Sequence, residues 1–419
     1  TTTTVVSTSI NDAPTIGGTS SSQAVNDNAT LAPFASLTIA DVDPDQNVAV
    51  TITIDSAAKG AFTSQSLSAS GFFANSGTYA FIGTPSAAQT AIRQLVFNPT
   101  DNRVAVGNTE TAVFTVNVLD ASEGSASNNT TSVVSTSINN SPTLGGAVAS
   151  QAIADTGTLT PFTSLTIADV DPNQTVTVTV TPNAIANGTF TSSSLSASGF
   201  TASGNAFTFT GTAAAAQTAI RQLTFNPSDN RVAANTTETT TFTVNVTDAS
   251  LATASNSATT VVSFSVNDAP VIAGFSTGGS IGDNEATSPF SNVTISDVDV
   301  SDSVSLFVTQ WSAATGSFTS ASLNAAGFVQ VSQGQFRFSG TAAEGQGALR
   351  QLVFSPAQNR MSVGSTEFST FSVNVYDASG AAAGDLASLS SISVNDAPTV
   401  SGSATSTATT DNTTSQPFS

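Results

Sequence analysis

The chain has 419 residues and a net charge of −20, with 8 Lys+Arg against 28 Asp+Glu, and it contains no His and no Cys. These absences exclude disulfides, zinc sites of the Cys/His type, and Ser-His-Asp or Cys-His nucleophilic sites. So few cations also exclude a basic surface for a phosphate backbone, so we expect no nucleic-acid partner.

Hydrophobic residues make up 39% of the chain and include 26 Phe, which predicts packed cores rather than a disordered acidic segment. No apolar run approaches the length of a bilayer span, so we expect no membrane span in this segment. The chain begins TTTTVVSTSI, without Met or a signal-peptide pattern. We therefore expect an internal piece of a longer, extracellular protein.

A period of 128 residues organises the chain. The prolines that close segments similar to N-D-A-P recur at this spacing, at Pro14, Pro142, Pro270 and Pro398. A unit of this length can bury its own core, which favours a tandem array of autonomous domains over a solenoid of short units. The predicted divisions are the last strand of a preceding repeat in 1–12, three repeats in 13–140, 141–268 and 269–396, and the first part of a following repeat in 397–419.

The elements within a unit follow a period of two. In the first repeat, the apolar residues of 48–54 alternate with Ala and Thr, and those of 114–118 alternate with Thr and Asn. This pattern predicts antiparallel strands with one buried face. Thr84-Pro85, followed by apolar residues at helical spacing, predicts one short helix. The predicted fold class is all-β, a tandem array of antiparallel β-sandwich domains of seven to nine strands, each with one short helix.

Acidic and amide residues recur at fixed offsets in the loops that follow predicted strands. Carboxylate and amide oxygens, without imidazole or thiolate, are ligands that calcium prefers, and a D-x-D loop lets two carboxylates converge on one cation. The sequence therefore predicts calcium sites. The candidate ligands are Asp27, Asp155 and Asp283; Asp41, Asp43, Asp169, Asp171, Asp297 and Asp299; Asp120, Asp248 and Asp377; and Asp12, Asn139, Asn140, Asn267, Asp268, Asn395 and Asp396.

The order of these motifs, V-x-V-x-D-A-S, then N-D-A-P, then Asp-Asn, then A-D-V-D, resembles the cadherin repeat. Similar cadherin-like and immunoglobulin-like domains form the stalks of giant bacterial surface adhesins of the RTX type. The resemblance implies calcium at domain junctions, with ligands Asp155, Asn267, Asp268, Asp297, Asp299 and Asp377 at one of them. The chain departs from the family pattern in its linker, where Ser replaces the leading Asp. The family's Leu-Asp-Arg-Glu motif is also missing, and Glu110, Glu238 and Glu367 are its only stand-ins.

Other interpretations stay open at this point. The same Asp, Asn and Pro residues favour turns without any metal. Arginines recur on the predicted helix and after the F-N-P turn, and we expect them to be structural partners of nearby carboxylates. The helix arginines are Arg93, Arg221 and Arg350, and those after the turn are Arg103, Arg231 and Arg360. Paired aspartates could serve a glycosidase, but their presence in every copy argues for architecture and against an enzyme.

The predicted function is a structural stalk of an extracellular bacterial surface protein, adhesin-like and stiffened by calcium at the domain junctions. The alternative is a subunit of a polymerised filament or sheath, in which the partners are other copies of the protein. A glycan-binding array, a third class, would need a repeated exposed aromatic, and Trp311, Tyr79 and Tyr376 are not repeated.

The junctions are expected to differ in calcium affinity. Between the first two repeats, Asn140 replaces the carboxylate that Asp12, Asp268 and Asp396 carry, and Asn173 replaces Asp45. Calcium affinity depends on the number of charged ligands. We therefore expect weaker binding at this junction than at Asp268.

Overall fold

A computed structural model describes residues 2–75, 77–399 and 410–411. The chain divides into two compact units, one comprising Thr1–Gln151, Leu159–Phe225 and Thr240–Val261, the other Ala152–Thr158, Asn226–Thr239 and Val262–Ser419. The first repeat thus lies in one unit, the third in the other, and the second contributes to both. Residues 2–14 form no strand. Most of 397–419 lies outside the described residues, so both terminal assignments stay predictions.

The first repeat contains eleven strands and two α-helices among the described residues. Its elements are β1 (Thr15–Gly17), β2 (Gln23–Asn26), β3 (Thr38–Ala40), β4 (Val48–Ile54), β5 (Gly60–Phe62), α1 (Ser64–Ser70), β6 (Phe73–Asn75), β7 (Thr78–Gly83), α2 (Pro85–Arg93), β8 (Phe97–Pro99), β9 (Thr109–Asp120), β10 (Ser125–Asn128) and β11 (Ser132–Thr136).

The second repeat follows the same plan. Its elements are β12 (Thr143–Gly145), β13 (Gln151–Ala154), β14 (Thr166–Ala168), β15 (Val176–Pro182), β16 (Gly188–Phe190), α3 (Ser192–Ser198), β17 (Thr201–Ser203), β18 (Ala206–Gly211), α4 (Ala213–Ile220), β19 (Phe225–Pro227), β20 (Thr237–Asp248) and β21 (Thr253–Phe264).

In the second and third repeats, one long strand takes the place of the last two strands of the first repeat. Its elements are β22 (Val271–Ala273), β23 (Thr277–Gly282), β24 (Thr294–Ser296), β25 (Val304–Gln310), β26 (Gly316–Phe318), α5 (Ser320–Ala326), β27 (Val329–Ser332), β28 (Gln335–Gly340), α6 (Ala342–Arg350), β29 (Phe354–Pro356), β30 (Thr366–Tyr376) and β31 (Ala382–Ile392).

One large sheet dominates the first repeat, in the order β2-β11-β9-β4-β7-β6, with β10 also pairing β9. Its neighbours are antiparallel except β11 and β2, which run parallel. The third repeat keeps this arrangement as β23-β31-β30-β25-β28-β27, with β23 and β31 parallel. The strands of this sheet that come first and last in the sequence, β2 and β11 in the first repeat and β23 and β31 in the third, run in the same direction. The chain therefore enters the repeat at one end and leaves at the other. This topology suits domains linked in series.

The second layer of each sandwich consists of short strand pairs, β1 with β3 and β5 with β8 in the first repeat, and β22 with β24 and β26 with β29 in the third. These three-residue strands raise the number of strands in a repeat above the seven to nine that we expect from the sequence. Between the layers lies a cluster of buried Phe. In the third repeat, the rings of Phe354 and Phe371 meet edge to face with centroids 4.9 Å apart. Such aromatic pairs stabilise the core beyond the area they bury.

The predicted helix is confirmed as α2. It begins at Pro85, and Thr84 is its N-cap, since Thr84 Oγ1 accepts a hydrogen bond from the backbone N–H of Ala87 at 3.3 Å. The expectation of one helix per repeat is wrong for the described residues, because α1 precedes it. That helix is capped by Thr63 and ends at Gly71, which adopts a left-handed φ of 77°. None of the helices in the described residues is long and apolar enough for a membrane crossing.

The repeated arginines fall into two groups. Arg103, Arg231 and Arg360 pair with Glu110, Glu238 and Glu367, which confirms the expected carboxylate partners for this group. The helix arginines differ from that expectation, because the Nε of Arg93, Arg221 and Arg350 donates to the carbonyl oxygens of Leu37, Leu165 and Val293, each at 2.8 Å. The helix lies against the loop before the short strand, so a backbone carbonyl is within reach.

Two phenylalanines on β30 provide a test of the core. Phe371 is fully buried and Phe368 is 66% exposed. Phe371→Ala should lower the free energy of unfolding of the third repeat by about 3–5 kcal/mol, because it removes a buried ring and leaves a cavity. Phe368→Ala should change it by less than about 0.5 kcal/mol, as surface substitutions do. Urea unfolding followed by Trp311 fluorescence and circular dichroism measures both, and equal losses would contradict this core.

Candidate metal centre at the domain linkers

The described linkers of the N-D-A-P type are the first linker (11–14), the second linker (139–142) and the third linker (267–270). Each holds its Asn against an Asp of the following repeat that ends a long strand or, for Asp377, directly follows one. The Asn Nδ2 group donates to the carboxylate Oδ2 in all three: Asn11 to Asp120 at 3.1 Å, Asn139 to Asp248 at 2.9 Å, and Asn267 to Asp377 at 2.9 Å. Two motifs that are about 110 residues apart in sequence therefore meet.

The next linker residue contacts the D-x-D loop. Its backbone N–H donates to the second Asp of that loop: Asp12 to Asp43 at 2.7 Å, Asn140 to Asp171 at 2.8 Å, and Asp268 to Asp299 at 2.9 Å. Within the loop, the first Asp accepts from the backbone N–H of the second, at 3.0 Å for Asp41 and Asp169 and 3.1 Å for Asp297. The structure thus brings together the linker, the D-x-D loop and the D-A-S loop.

The third linker has the richest group of carboxylates. Asp297, Asp302 and Asp377 each place one carboxylate oxygen within 4.8 Å of the other two, and they are the one group of three such ligands found among the described residues. Asp302 was not among the predicted ligands. It lies three residues after Asp299, at the position that Gln46 and Gln174 occupy in the other repeats.

Several buried oxygen atoms around this group have no hydrogen-bond donor. They are Asn267 Oδ1, Asp297 Oδ2, Asp299 Oδ1 and Asp302 Oδ2. Asp299 is only 6% exposed, so its unpartnered oxygen is shielded from bulk water. A buried acceptor without a partner costs free energy, and a carboxylate costs more than a neutral group. This acceptor-rich, donor-poor geometry fits a hard cation that binds through oxygen.

The electrostatics support the same interpretation. Burial raises the pKa of Asp297, and the neighbouring carboxylates of Asp302 and Asp377 raise it further. Burial and the carboxylates of Asp297 and Asp268 also raise the pKa of Asp299. Like charges held together in a partly buried site disfavour ionisation of one another. A bound cation would remove that repulsion.

Carboxylates of the second repeat also lie close to the third linker. Burial raises the pKa of Asp229, and the carboxylates of Asp155 and Asp268 contribute. Asp268 therefore lies near carboxylates from both repeats. Asn230, next to Asp229, has a buried Oδ1 that lacks a donor.

Asp27, Asp155 and Asp283 act as staples between loops. In each, one carboxylate oxygen accepts from the backbone N–H of the residue before the repeated Arg, and the other from a residue after the last strand. The donors are Asn102 and Ile138 for Asp27, Asn230 and Val266 for Asp155, and Asn359 and Val394 for Asp283, at 3.0–3.2 Å. Their role as calcium ligands stays a prediction.

The remaining predicted ligands divide by their surroundings. Asp120, Asp248 and Asp377 are buried, and the Oδ1 of each closes its D-A-S loop by accepting a backbone N–H four residues on, at 2.8–2.9 Å. Asn395 and Asp396 are exposed, and most of the segment that would follow them lies outside the described residues. Glu110, Glu238 and Glu367 pair with arginines.

No protein-family model matches the sequence, and no curated protein is similar to it. Among solved structures, the chain is similar to extracellular cadherin domains 1–5 of protocadherin gamma B2, at 15% identity and a TM-score of 0.34, over 94% of this chain and 62% of that one. It is also similar to mouse cadherin-23 EC22–24, at 14% and 0.30, over 92% and 99% of the two chains. For Drosophila N-cadherin EC1–4 the values are 11% and 0.28, over 92% and 76%.

The structural neighbours are therefore cadherin extracellular repeats, and the chain spans 62% of the first of them. Superpositions with such low TM-scores say nothing about the chemistry of this chain. The all-β sandwich assignment rests on the strand pairing described above.

Asp155 allows the staple to be tested. Asp155→Ala removes the acceptors of two backbone N–H groups, so it should lower the free energy of unfolding by about 1–3 kcal/mol. Asp155→Asn keeps one acceptor and should lose roughly half as much. Chemical denaturation with and without a chelator measures both variants. A loss that appears only in the presence of calcium would show that Asp155 is a metal ligand rather than a staple.

Proposed function

We propose that the chain is a structural segment of an extracellular repeat array, in which β-sandwich domains are linked in series and calcium stiffens the third linker. One observation carries the proposal. Asp297, Asp302 and Asp377 converge within 4.8 Å beside a linker that connects two domains. A cation bound there would join residues of the linker to two loops of the following repeat.

The ligand chemistry favours calcium over other ions. The oxygens around the third linker come from carboxylates and one amide, and the chain has no His or Cys to offer a transition metal. Calcium accepts six to eight oxygen ligands in irregular geometry, whereas magnesium demands near-ideal octahedral geometry. Asn267, Asp297, Asp299, Asp302 and Asp377 would hold it. The bound ion would supply positive charge where the protein supplies only acceptors.

The repeated architecture supports a mechanical role rather than catalysis. The same loops and staples occur in each copy, whereas an enzyme needs one distinct cleft. Parallel first and last strands lead the chain from one end of a repeat to the other. A cysteine-free, acidic array of this kind suits the stalk of a bacterial cell-surface adhesin, which is the function we infer.

Calcium should stabilise the full chain, because the ion binds the folded junction and not the unfolded chain. At a free calcium concentration one hundred times the Kd, the gain is about 2.7 kcal/mol. Thermal unfolding and small-angle scattering with calcium, and with a chelator, measure stability and flexibility. Identical curves in both conditions would contradict calcium stiffening and leave the sandwich fold untouched.

Asp302 and Asp385 form a matched pair for this test. Oδ1 of each accepts the backbone N–H of the next residue at 2.8 Å, and only Asp302 lies in the acidic group. Asp302→Asn should therefore reduce the calcium-induced rise in melting temperature, and Asp385→Asn should preserve it. Electron microscopy of the same samples distinguishes the alternative, since single rods agree with a stalk and ordered multi-chain fibres indicate a filament subunit.

A further inference from the structure

The second and third linkers differ at two positions that matter for hydrogen bonding. Asn140 corresponds to Asp268, and Gln174 corresponds to Asp302, each pair separated by 128 residues. In both cases a side chain that can donate N–H bonds is replaced by a carboxylate that only accepts when ionised. Asn173 also differs, since it corresponds to Ser301, whereas the leading linker Asn, both Asp of the D-x-D loop and the Asp of the D-A-S loop are the same at the two linkers.

At the second linker, both amides donate to oxygens. Gln174 Nε2 donates to Asn139 Oδ1 at 2.7 Å and also lies 3.5 Å from Asp171 Oδ2 and Ser250 Oγ. Asn140 Nδ2 donates to Asn102 Oδ1 at 2.9 Å, which ties the linker to the preceding repeat. We refer to Asn140 and Gln174 together as the amide latch.

At the third linker, the corresponding acceptors have no donors. Asn267 Oδ1, the counterpart of Asn139 Oδ1, is buried without a partner. Asn230 Oδ1, the counterpart of Asn102 Oδ1, is also buried without a partner. The two oxygens that the amide latch satisfies at one junction are therefore the ones left unsatisfied at the other.

The first linker shows that the glutamine contact is not particular to one repeat. Gln46 Nε2 donates to Asn11 Oδ1 at 2.9 Å, in the same way as Gln174 to Asn139. The second and third linkers share two unpartnered acceptors. Asp169 Oδ2 and Asp171 Oδ1 lack donors at the second linker, as do Asp297 Oδ2 and Asp299 Oδ1 at the third. The junctions therefore differ in the latch and in two charges.

We propose that Asn140 and Gln174 take the place of a cation at the second linker, so that this junction is held closed without metal while the third linker closes only when calcium binds. The second half of this statement rests on the proposed function, and the first half does not. Of these two junctions, the second linker would be fixed and the third would respond to calcium. A drop in calcium would bend the chain at the third linker.

The physical basis is that the second linker has amide N–H donors at the two positions where the third linker has carboxylates. The amide N–H groups provide directional donors without adding charge, so Asn139 Oδ1 and Asn102 Oδ1 are satisfied without an ion. Asp169 Oδ2, Asp171 Oδ1 and Gln174 Oε1 keep no donor. Around the third linker two further carboxylates add repulsion and remove both donors. Since calcium affinity follows the count of charged ligands, we expect the second linker to bind calcium at least about tenfold more weakly than the third.

Hydrogen exchange on the full chain resolves the two junctions separately. The backbone N–H of Asn140 and that of Asp268 make equivalent bonds, to Asp171 Oδ2 and Asp299 Oδ2. On going from chelator to saturating calcium, protection of the Asp268 amide should rise at least about tenfold, and that of the Asn140 amide should change less than about twofold. Calorimetric titration of the same chain should show the strong calcium site.

Reciprocal variants test the cause. Asn140→Asp with Gln174→Asp should lower protection at the second linker in chelator and create a second strong calcium site there. Asp268→Asn with Asp302→Gln should remove the strong site and make the third linker protected in chelator. Circular dichroism confirms that each variant is folded, and the second pair tests the proposal even if the first pair does not fold.

The outcomes separate the two claims. If no calcium binds anywhere but the first pair of substitutions still loosens the second linker in chelator, the amide latch stands and the calcium function is wrong. If the wild-type junctions bind calcium equally, or if the first pair leaves protection at the second linker unchanged in chelator, the amide latch is wrong.

Discussion

The junctions of this chain depend on carboxylates that bind the linker through N–H groups. At the third linker, Asn267 Nδ2 donates to Asp377 and the backbone N–H of Asp268 donates to Asp299. These bonds fix the linker on the following repeat, but they gather more acceptors than the backbone can supply with donors. A buried acceptor needs a hydrogen-bond donor or a cation, so each junction must supply one or the other to its unpartnered oxygens.

The fold makes such junctions possible. In the first and third repeats, the parallel pairing of first and last strands leads the chain out at the far end of the repeat. After the first repeat, two loops of the next repeat contact the linker there. Each repeat has its own Phe cluster, so a change of one or two residues at a junction leaves the cores intact. Junctions can therefore diverge in chemistry while the domains remain alike.

Much of this architecture could be predicted from the sequence. The period of two in 48–54 gave β4 with its bounds, and the Thr84-Pro85 pair gave the start of α2. Helix α1 could not be predicted from apolar spacing, because Leu67 is the one large apolar residue in its sequence SQSLSAS. The signal that could have revealed it is the pairing of Thr63 as N-cap with Gly71 as C-cap. The short strands of the second layer are too brief for a period to show.

The acidic residues that every copy shares at the candidate site were found from the sequence, and Asp302 was missed. A search for acidic residues that recur in every copy finds Asp297, Asp299 and Asp377. It passes over Asp302, because the other copies have Gln46 and Gln174 at that position. The helix arginines show the same limit, since sequence suggests a carboxylate partner and only the packing of the helix reveals a backbone carbonyl. The exchange of Asp268 for Asn140 could be read from the sequence, whereas the place of Asp302 in the acidic group needed the three-dimensional contacts.

The most direct test of the central claim is the anomalous scattering of crystals of the full chain grown with calcium or with terbium in its place. We expect a strong anomalous peak among Asp297, Asp299, Asp302 and Asp377, beside Asn267, and a weaker peak or none at Asp169 and Asp171. A structure at saturating calcium with no ion beside Asp302, or with peaks of equal height at the two junctions, would contradict that claim.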